Sequence, residues 1–377
     1  MDLDLTEEQE MLRKTARDFL EKECPKSLIR ELEEEEKGYS PELWRKMAEL
    51  GWMGLVLPEE HGGMDMGFMD LIILLQEMGR NILPGPFFST VVLGGIPILL
   101  AGTDEQKKEF LPEIADGELI MTMAWLEPSA RYDAAGIAAK ASAKGDEYVV
   151  NGTKLFVENA HIADFMVCAA RTKSTKNPEE GITLLIVDAK SPGIKIEVMP
   201  TIGADKLCEV AFDNVKVPKQ NVLGEADKGW PLLSKMIEHA AIAKCAEMVG
   251  GAEASLDMTL AYVKEREQYG RPIGSFQVIQ HYLANMWTKV DTSRNILYLA
   301  AWKLAEGQPA ARDIATAKGW INEAYKFVTE RAVQCHGAIG TTRDHDIGLY
   351  YRRSKSTELA FGDTDFHVET VARELGL

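Results

Sequence analysis

The hydrophobic period changes twice along this chain, and that double change limits the possible folds more than any single motif does. Up to about residue 120 the apolar residues recur at helical spacing. Thr6 followed by Gln9 has capping-box spacing, and Met11, Leu12, Ala16, Phe19 and Leu20 then share one face. Ser40-Pro41 supplies the cap and first position of another helix, with Leu43, Met47 and Leu50 as its stripe and Gly51 as its stop. Met66 to Met78 and Thr90 to Leu100 read as core helices. From about residue 121 the period becomes two. GDEYVVNGTKLFVENA (145–160) holds two β-rich runs, and its Asn151-Gly152 predicts a hairpin turn between them. ITLLIVDA (182–189) and LCEVAFDNVKV (207–217) continue in strand style. After Gly229 the helical period returns over 231–268, 275–305 and 311–335, and a shorter helix is expected after His367. The pattern predicts a mainly α protein with an inserted β domain. Its parts are an N-terminal helical domain (1–120), a middle β domain (121–226) and a C-terminal helical bundle (227–377).

Charge and motif content remove several functions. Against 42 basic residues stand 59 acidic ones, a formal net charge of −17. Such a field repels nucleic acid and anionic lipid, so neither is an expected partner. No apolar run approaches the roughly 20 residues of a membrane span. The N-terminus, MDLDLTEEQE, lacks the apolar core of a signal peptide. Cys24, Cys168, Cys208, Cys245 and Cys335 are scattered and never form C-x-x-C, which suits a reducing cytoplasm and argues against a disulfide framework or a zinc site. The histidines show no ligand spacing, so no metal is expected. G-x-G-x-x-G, the P-loop, G-x-S-x-G and H-E-x-x-H are all missing, so a cofactor would need some other cradle.

Four segments, in order, point to one. They are AGTDEQKKEFLPEIADGELIMTMAWLEPSARYDAAGI (101–137), NGTKLFVENAHIADFMVCAAR (151–171), REQYGRPIGSFQVIQHYLANM (266–286) and AVQCHGAIG (332–340). Together they resemble the signature stretches of the acyl-CoA dehydrogenase family of flavoproteins, over essentially the whole chain. The resemblance implies the same three-part fold and an FAD held between the β domain and the bundle, across a dimer interface within a tetramer. It also implies an acyl-CoA substrate and an electron-transferring flavoprotein as acceptor. Arg266, Gln268, Tyr269, Gln277, Gln334, Gly337 and Ala338 fall where the family contacts the FAD diphosphate and adenosine, largely from the neighbouring subunit. A guanidinium fork and a small-residue loop are suited to a diphosphate. Met123, Leu126, Phe156 and Glu158 align with strands that hold the flavin ring.

Around that ring the sequence departs from the family. Leu126 replaces a Thr, Arg131-Tyr132 replace Gly-Ser, and Phe156-Val157-Glu158 replace Trp-Ile-Thr. Arg131 and Tyr132 would meet a polar acyl tail or else lie in a surface loop. Glu158 is an unusual charge for a flavin site unless it turns to solvent. In the family a carboxylate removes the α-proton while a hydride leaves the β-carbon for flavin N5. Its usual Glu precedes a Gly-Thr; matching Thr364 of LAFGDTDFH to that Thr puts Gly362 where the Glu belongs, and the second known base position falls on Ala240-Ala241. Three readings stay open. Asp363 could act from one residue later. The base could come from Glu158, Glu238 or the Phe88–Leu93 helix, which would suit an alicyclic or dicarboxylic acyl-CoA. Or the chain could be the base-poor partner in a hetero-oligomer, since its F-G-D resembles small subunits of pimeloyl-CoA-type and steroid side-chain dehydrogenases.

Overall fold

A computed structural model describes residues 5–377; Met1 to Asp4 of the acidic N-terminal segment lie outside the described residues. The N-terminal portion is helical: α1 (Glu7–Glu23), α2 (Lys26–Glu34), α3 (Pro41–Glu49), α4 (Phe68–Asn81), α5 (Ile96–Ala101) and α6 (Asp104–Ala115). The Thr6 hydroxyl accepts from Gln9 N and the Gln9 side chain reaches back, so the predicted capping box forms. The Ser40 hydroxyl caps α3 over Pro41 by accepting from Leu43 N, and Gly51 follows in the left-handed region. The helix expected over 90–100 is not a single α-helix. Phe88–Gly95 is wound as a π-helix before α5 begins. Pro97, at the start of α5, has no N–H to give back to the preceding turn.

Eight strands form the middle sheet: β1 (Met121–Ala124), β2 (Lys140–Lys144), β3 (Glu147–Glu158), β4 (Phe165–Arg171), β5 (Ile182–Asp188), β6 (Ile194–Val198), β7 (Leu207–Pro218) and β8 (Val222–Leu223). Their order is β6-β7-β3-β2-β4-β5-β8, with β1 parallel to β4. The Asn151-Gly152 hairpin does not form. Both residues lie inside β3, and the β2–β3 turn is Gly145-Asp146, since Lys144 pairs with Glu147. Gly152 uses its freedom differently: at φ +149° it sits at a register shift against β7, where a Cβ would come 2.6 Å from that of Ala139. The dipeptide that would favour a turn makes a bulge instead. Below it, fully buried Lys154 meets Glu127 at 2.6 Å, and the Glu127 carboxylate also accepts from the N–H groups of Ala138 and Ala139.

The C-terminal portion holds α7 (Gly229–Glu265), a short hairpin of β9 (Glu267–Gln268) and β10 (Arg271–Pro272), then α8 (Gln277–Ala305) and α9 (Ala311–His336). Two helices close the chain rather than one: α10 (Ile347–Glu358) and α11 (Thr364–Glu374). The last starts at Thr364, before His367, because Asp363 caps it. Central α7 packs on α4, α8, α9 and α10. Among the described residues no helix is long and apolar enough to cross a membrane.

Candidate functional site

The turn between α10 and α11 decides what can sit at the expected base position. Gly362 has φ +111°, and a Cβ on it would fall 2.5 Å from His367 Nε2 and 2.7 Å from Phe366 Cδ1. No side chain stands there and none has room. The turn is fixed from below by Lys318, which is fully buried. Its ammonium donates to Asn322 Oδ1 at 2.5 Å, to the carbonyls of Thr357 and Glu358 at 3.3 Å, and to that of Gly362 at 3.2 Å. Burial pushes its pKa down to about 8. His367 Nε2–H donates to Phe361 O at 3.0 Å, while Nδ1 is buried without a partner among the described residues. Burial, with help from the nearby Lys318 charge, lowers the His367 pKa to about 4. Asp363, the first base candidate, is turned into its own helix: one carboxylate oxygen accepts from Phe366 N at 2.8 Å. Thr364 donates to Glu323.

A second feature lies where β3 ends. Glu158 does not face solvent. It points at Lys244 of α7 at 3.4 Å, and the same ammonium meets Glu247 at 2.8 Å and lies 3.5 Å over the Phe88 ring. Arg353 and Asp205 stand alongside at 3.2 Å, in charge contact though without hydrogen-bond alignment. These groups line a cavity of about 90 Å³ that Ile29, Leu83 and Phe87 complete. Burial raises the Glu158 pKa; Lys244 opposes that, and Glu247 and Asp205 add to it. For Lys244 burial works against the charge, but the carboxylates of Glu158 and Glu247 more than reverse it. One ammonium is shared by two carboxylates.

The other ring-side candidates are distributed unevenly. Met123 and Leu126 are core residues, and Leu126 offers its carbonyl to Leu155 N. Phe156 is 44% exposed at a second irregularity of β3, with φ +55°. Tyr132 donates to Leu359 O at 2.9 Å and packs against Trp125 and Phe366, so it latches the β-domain loop onto the α10–α11 turn. Arg131 is exposed and paired with Asp133. Glu238 faces a different cavity, of about 580 Å³, with Lys235, His239 and Lys303. Six residues of α7 separate it from Lys244, about 9 Å along the axis.

The third cluster is at one end of the bundle, where α7 stops, α8 starts and α9 stops. Tyr262 of α7 stacks on His336 of α9 with ring centres 4.4 Å apart, which brings the two termini together. Around them Arg266, Gln268, Gln277, Gln334, Gly337 and Ala338 are all exposed, and Tyr269 is 94% exposed. Gly337 leaves α9 with φ +66° into an open turn. Sequence reasoning had named these residues. It had not named Lys244, Asp205, Arg353 and Lys318, whose contacts are with residues far away in the chain, nor Glu247, which meets Lys244 from one turn along α7.

A three-part helix–sheet–helix chain with an exposed guanidinium, side-chain amides and an open glycine turn at a bundle end suits a flavin-dependent acyl-thioester oxidoreductase. The acyl-CoA dehydrogenase N-terminal, middle and C-terminal domains match residues 6–118, 122–215 and 227–376. The chain is 34% identical to acryloyl-CoA reductase (NADH) of Anaerotignum propionicum, over 100% of this chain and 96% of that one. Butyryl-CoA dehydrogenase of Megasphaera elsdenii superposes with TM-score 0.92 at 30% identity, covering 100% of both chains. The ChsE4–ChsE5 complex of Mycobacterium tuberculosis gives TM-score 0.92 at 28% identity, covering 100% of this chain and 99% of that one. The chain belongs to the acyl-CoA dehydrogenase family, whose members are FAD-dependent oxidoreductases acting on CH–CH bonds of acyl-CoA thioesters. Its own residues suit the cofactor at the bundle end: an exposed guanidinium, three side-chain amides and an open glycine turn match the needs of a diphosphate and adenosine.

Proposed function

We propose that this chain is the base-poor subunit of a hetero-oligomeric acyl-CoA dehydrogenase, completing the FAD site of a homologous partner subunit. One asymmetry carries the reading. The residues expected to serve a neighbour's FAD are all exposed, Arg266, Gln268, Tyr269, Gln277, Gln334, Gly337 and Ala338, although Tyr269 and Ala338 stand where the family motifs have Phe and Gly. The residues that would serve this chain's own site have changed. Gly362 lacks a base and lacks space for one, Asp363 is engaged as a cap, and Lys244 with Glu158 and Phe88 occupies the crevice at the end of β3. A subunit that keeps only what it lends is consistent with that pattern, and with a neighbour in fold that is itself a two-component complex. Bound FAD supplies the hydride acceptor. Arg266 would neutralise its diphosphate, and Gln334 with the Gly337 turn would orient it. We further propose an acyl-CoA substrate, an electron-transferring flavoprotein as acceptor, a cytoplasmic location, and membership of the F-G-D subgroup.

A second reading has one observation in its favour: Glu158 is a half-buried carboxylate with a raised pKa facing a cavity, the profile of a proton-transfer group. In that case the chain is self-sufficient and Glu158 is the base, acting on an atypical alicyclic or dicarboxylic acyl-CoA. Arg266→Ala tests the first reading. The isolated holo-complex of that variant should lose most of its flavin absorbance while its helical circular dichroism stays unchanged. Full FAD retention would count against it.

A further inference from the structure

The loop between β1 and β2, residues 125–139, is built to hold one side chain in a fixed place. Glu127 ties its ends together: the carboxylate accepts from Ala138 N and Ala139 N, and the carbonyl accepts from Ala130 N at 2.8 Å. Arg171 of β4 grips it from behind, donating to Ala134 O at 2.9 Å and to Ile137 O at 2.8 Å. Ala130 turns the chain at φ +52°, and a Cβ on Gly136 would lie 2.7 Å from Arg131 O, so the two limbs of the loop touch. At the tip, exposed Arg131 and Asp133 pair with each other at 2.6 Å. Tyr132, between them, turns inward and packs on the core. Its ring centre lies 6.3 Å from that of Trp125 and 5.3 Å from that of Phe366, and its hydroxyl donates to Leu359 O at 2.9 Å. Burial, with the Asp363 charge nearby, pushes the phenol pKa up to about 12, so this donor stays protonated at neutral pH.

The neighbours of Tyr132 belong to two facing walls. Trp125 lies between Met123 and Leu126, the residues expected beside a flavin ring, and Leu359 and Phe366 bracket the turn whose Gly362 stands at the expected base position. A thioester can react only with its α- and β-carbons held between such walls, in reach of both. We infer that Tyr132 is a specificity-determining residue that closes this chain's own crevice to acyl thioesters, its ring bridging the β domain and the α10–α11 turn where the thioester would lie. The inference rests on the partner-subunit reading and deepens it. Gly362 accounts for the lack of reaction in this chain, and Tyr132 accounts for the exclusion of the substrate. Arg131-Tyr132 stand where the family motif has Gly-Ser. A glycine has no side chain and a serine reaches one atom past Cβ, so neither could bridge the walls. The closure does not depend on the hydroxyl alone, because the bonds to Glu127 and Arg171 hold the loop that carries the ring.

The test counts CoA thioester bound to the purified native assembly, by equilibrium dialysis against butyryl-CoA, whose short chain makes no demand on the crevice around Lys244. The unaltered assembly should hold one equivalent for each pair of unlike chains, in the partner. Tyr132→Ser and Tyr132→Gly should each raise that to two, with helical circular dichroism unchanged. Tyr132→Phe, which keeps the ring and loses only the bond to Leu359 O, should stay at one. One equivalent in both the Ser and Gly variants overturns the closure and leaves the partner-subunit reading intact. Two equivalents in the unaltered assembly of unlike chains do the same, and that measurement needs no variant. A homo-oligomer of the unaltered chain with one FAD and one thioester on every copy overturns both.

Discussion

Placing the family's carboxylate back into the α10–α11 turn asks directly whether this chain's own crevice can be repaired. The perturbation is Gly362→Glu. At φ +111° the backbone is in a region that L side chains rarely adopt, and holding a non-glycine residue there costs about 1–3 kcal/mol. The new Cβ would also fall 2.5 Å from His367 Nε2, so the imidazole must move and its bond to Phe361 O is broken. That loss adds about 1 kcal/mol. Urea denaturation should thus report a loss of about 2–4 kcal/mol, and Gly362→Ala should lose nearly as much, because strain and overlap arise at the Cβ. Anaerobic addition of straight-chain, branched, alicyclic and dicarboxylic acyl-CoAs should bleach no flavin in the isolated variant. The reasoning is refuted if Gly362→Glu stays within about 0.5 kcal/mol of the parent, the ordinary effect of a surface change, and its flavin is reduced by an acyl-CoA.

The remaining predictions concern groups around the same turn and the β domain. Asp363→Ala should cost about 1 kcal/mol as a lost helix cap, whereas Asp363→Asn, an equally good cap, should be nearly neutral in the same denaturation assay and leave flavin reduction in the holo-complex unchanged. His367 is held neutral in the folded chain with its pKa near 4, below the ordinary 6.5. The unfolded chain binds a proton first, so stability should fall as pH drops from 6.5 to 4, by about 3 kcal/mol in all. His367→Gln should flatten that slope in pH-dependent melts. Lys154→Met should destabilise the chain by about 3–5 kcal/mol, since it strands the Glu127 carboxylate in the interior; adding Glu127→Gln should restore part of the loss in a double-mutant cycle.

The parts of the fold legible in the sequence were those set by local chemistry. Thr6 with Gln9, Ser40 with Pro41, and the long periodic runs of α7, α8 and α9 each carry their own signal within a few residues. Asn151-Gly152 misled because a positive φ serves a bulge as well as a turn, and only the register with β7 separates the two. The helix α10 was missed because IGLYYRRSKSTE is strongly polar and is buried by neighbours, notably through Tyr350, rather than by a clean apolar stripe. In the candidate site, Arg266, Gln277 and Gln334 were named because they fall within motif stretches, and the fold leaves all three exposed. Glu158 could not be read from sequence: whether it meets solvent or Lys244 is set by a residue 86 positions later, on α7. Asp363 reads as a base or a cap with equal ease until the backbone of Phe366 is seen beneath it.

The central claim is that this chain lends its bundle end to another subunit's flavin and does no proton abstraction of its own. The most direct measurement counts FAD per chain in the purified native assembly, then follows anaerobic flavin bleaching by acyl-CoA after substitutions in this chain alone. The account predicts one FAD for each pair of unlike chains, bleaching that survives Glu158→Gln and Asp363→Asn, and loss of the flavin with Arg266→Ala. One FAD on every copy of this chain, with bleaching abolished by Glu158→Gln or Asp363→Asn, would contradict it.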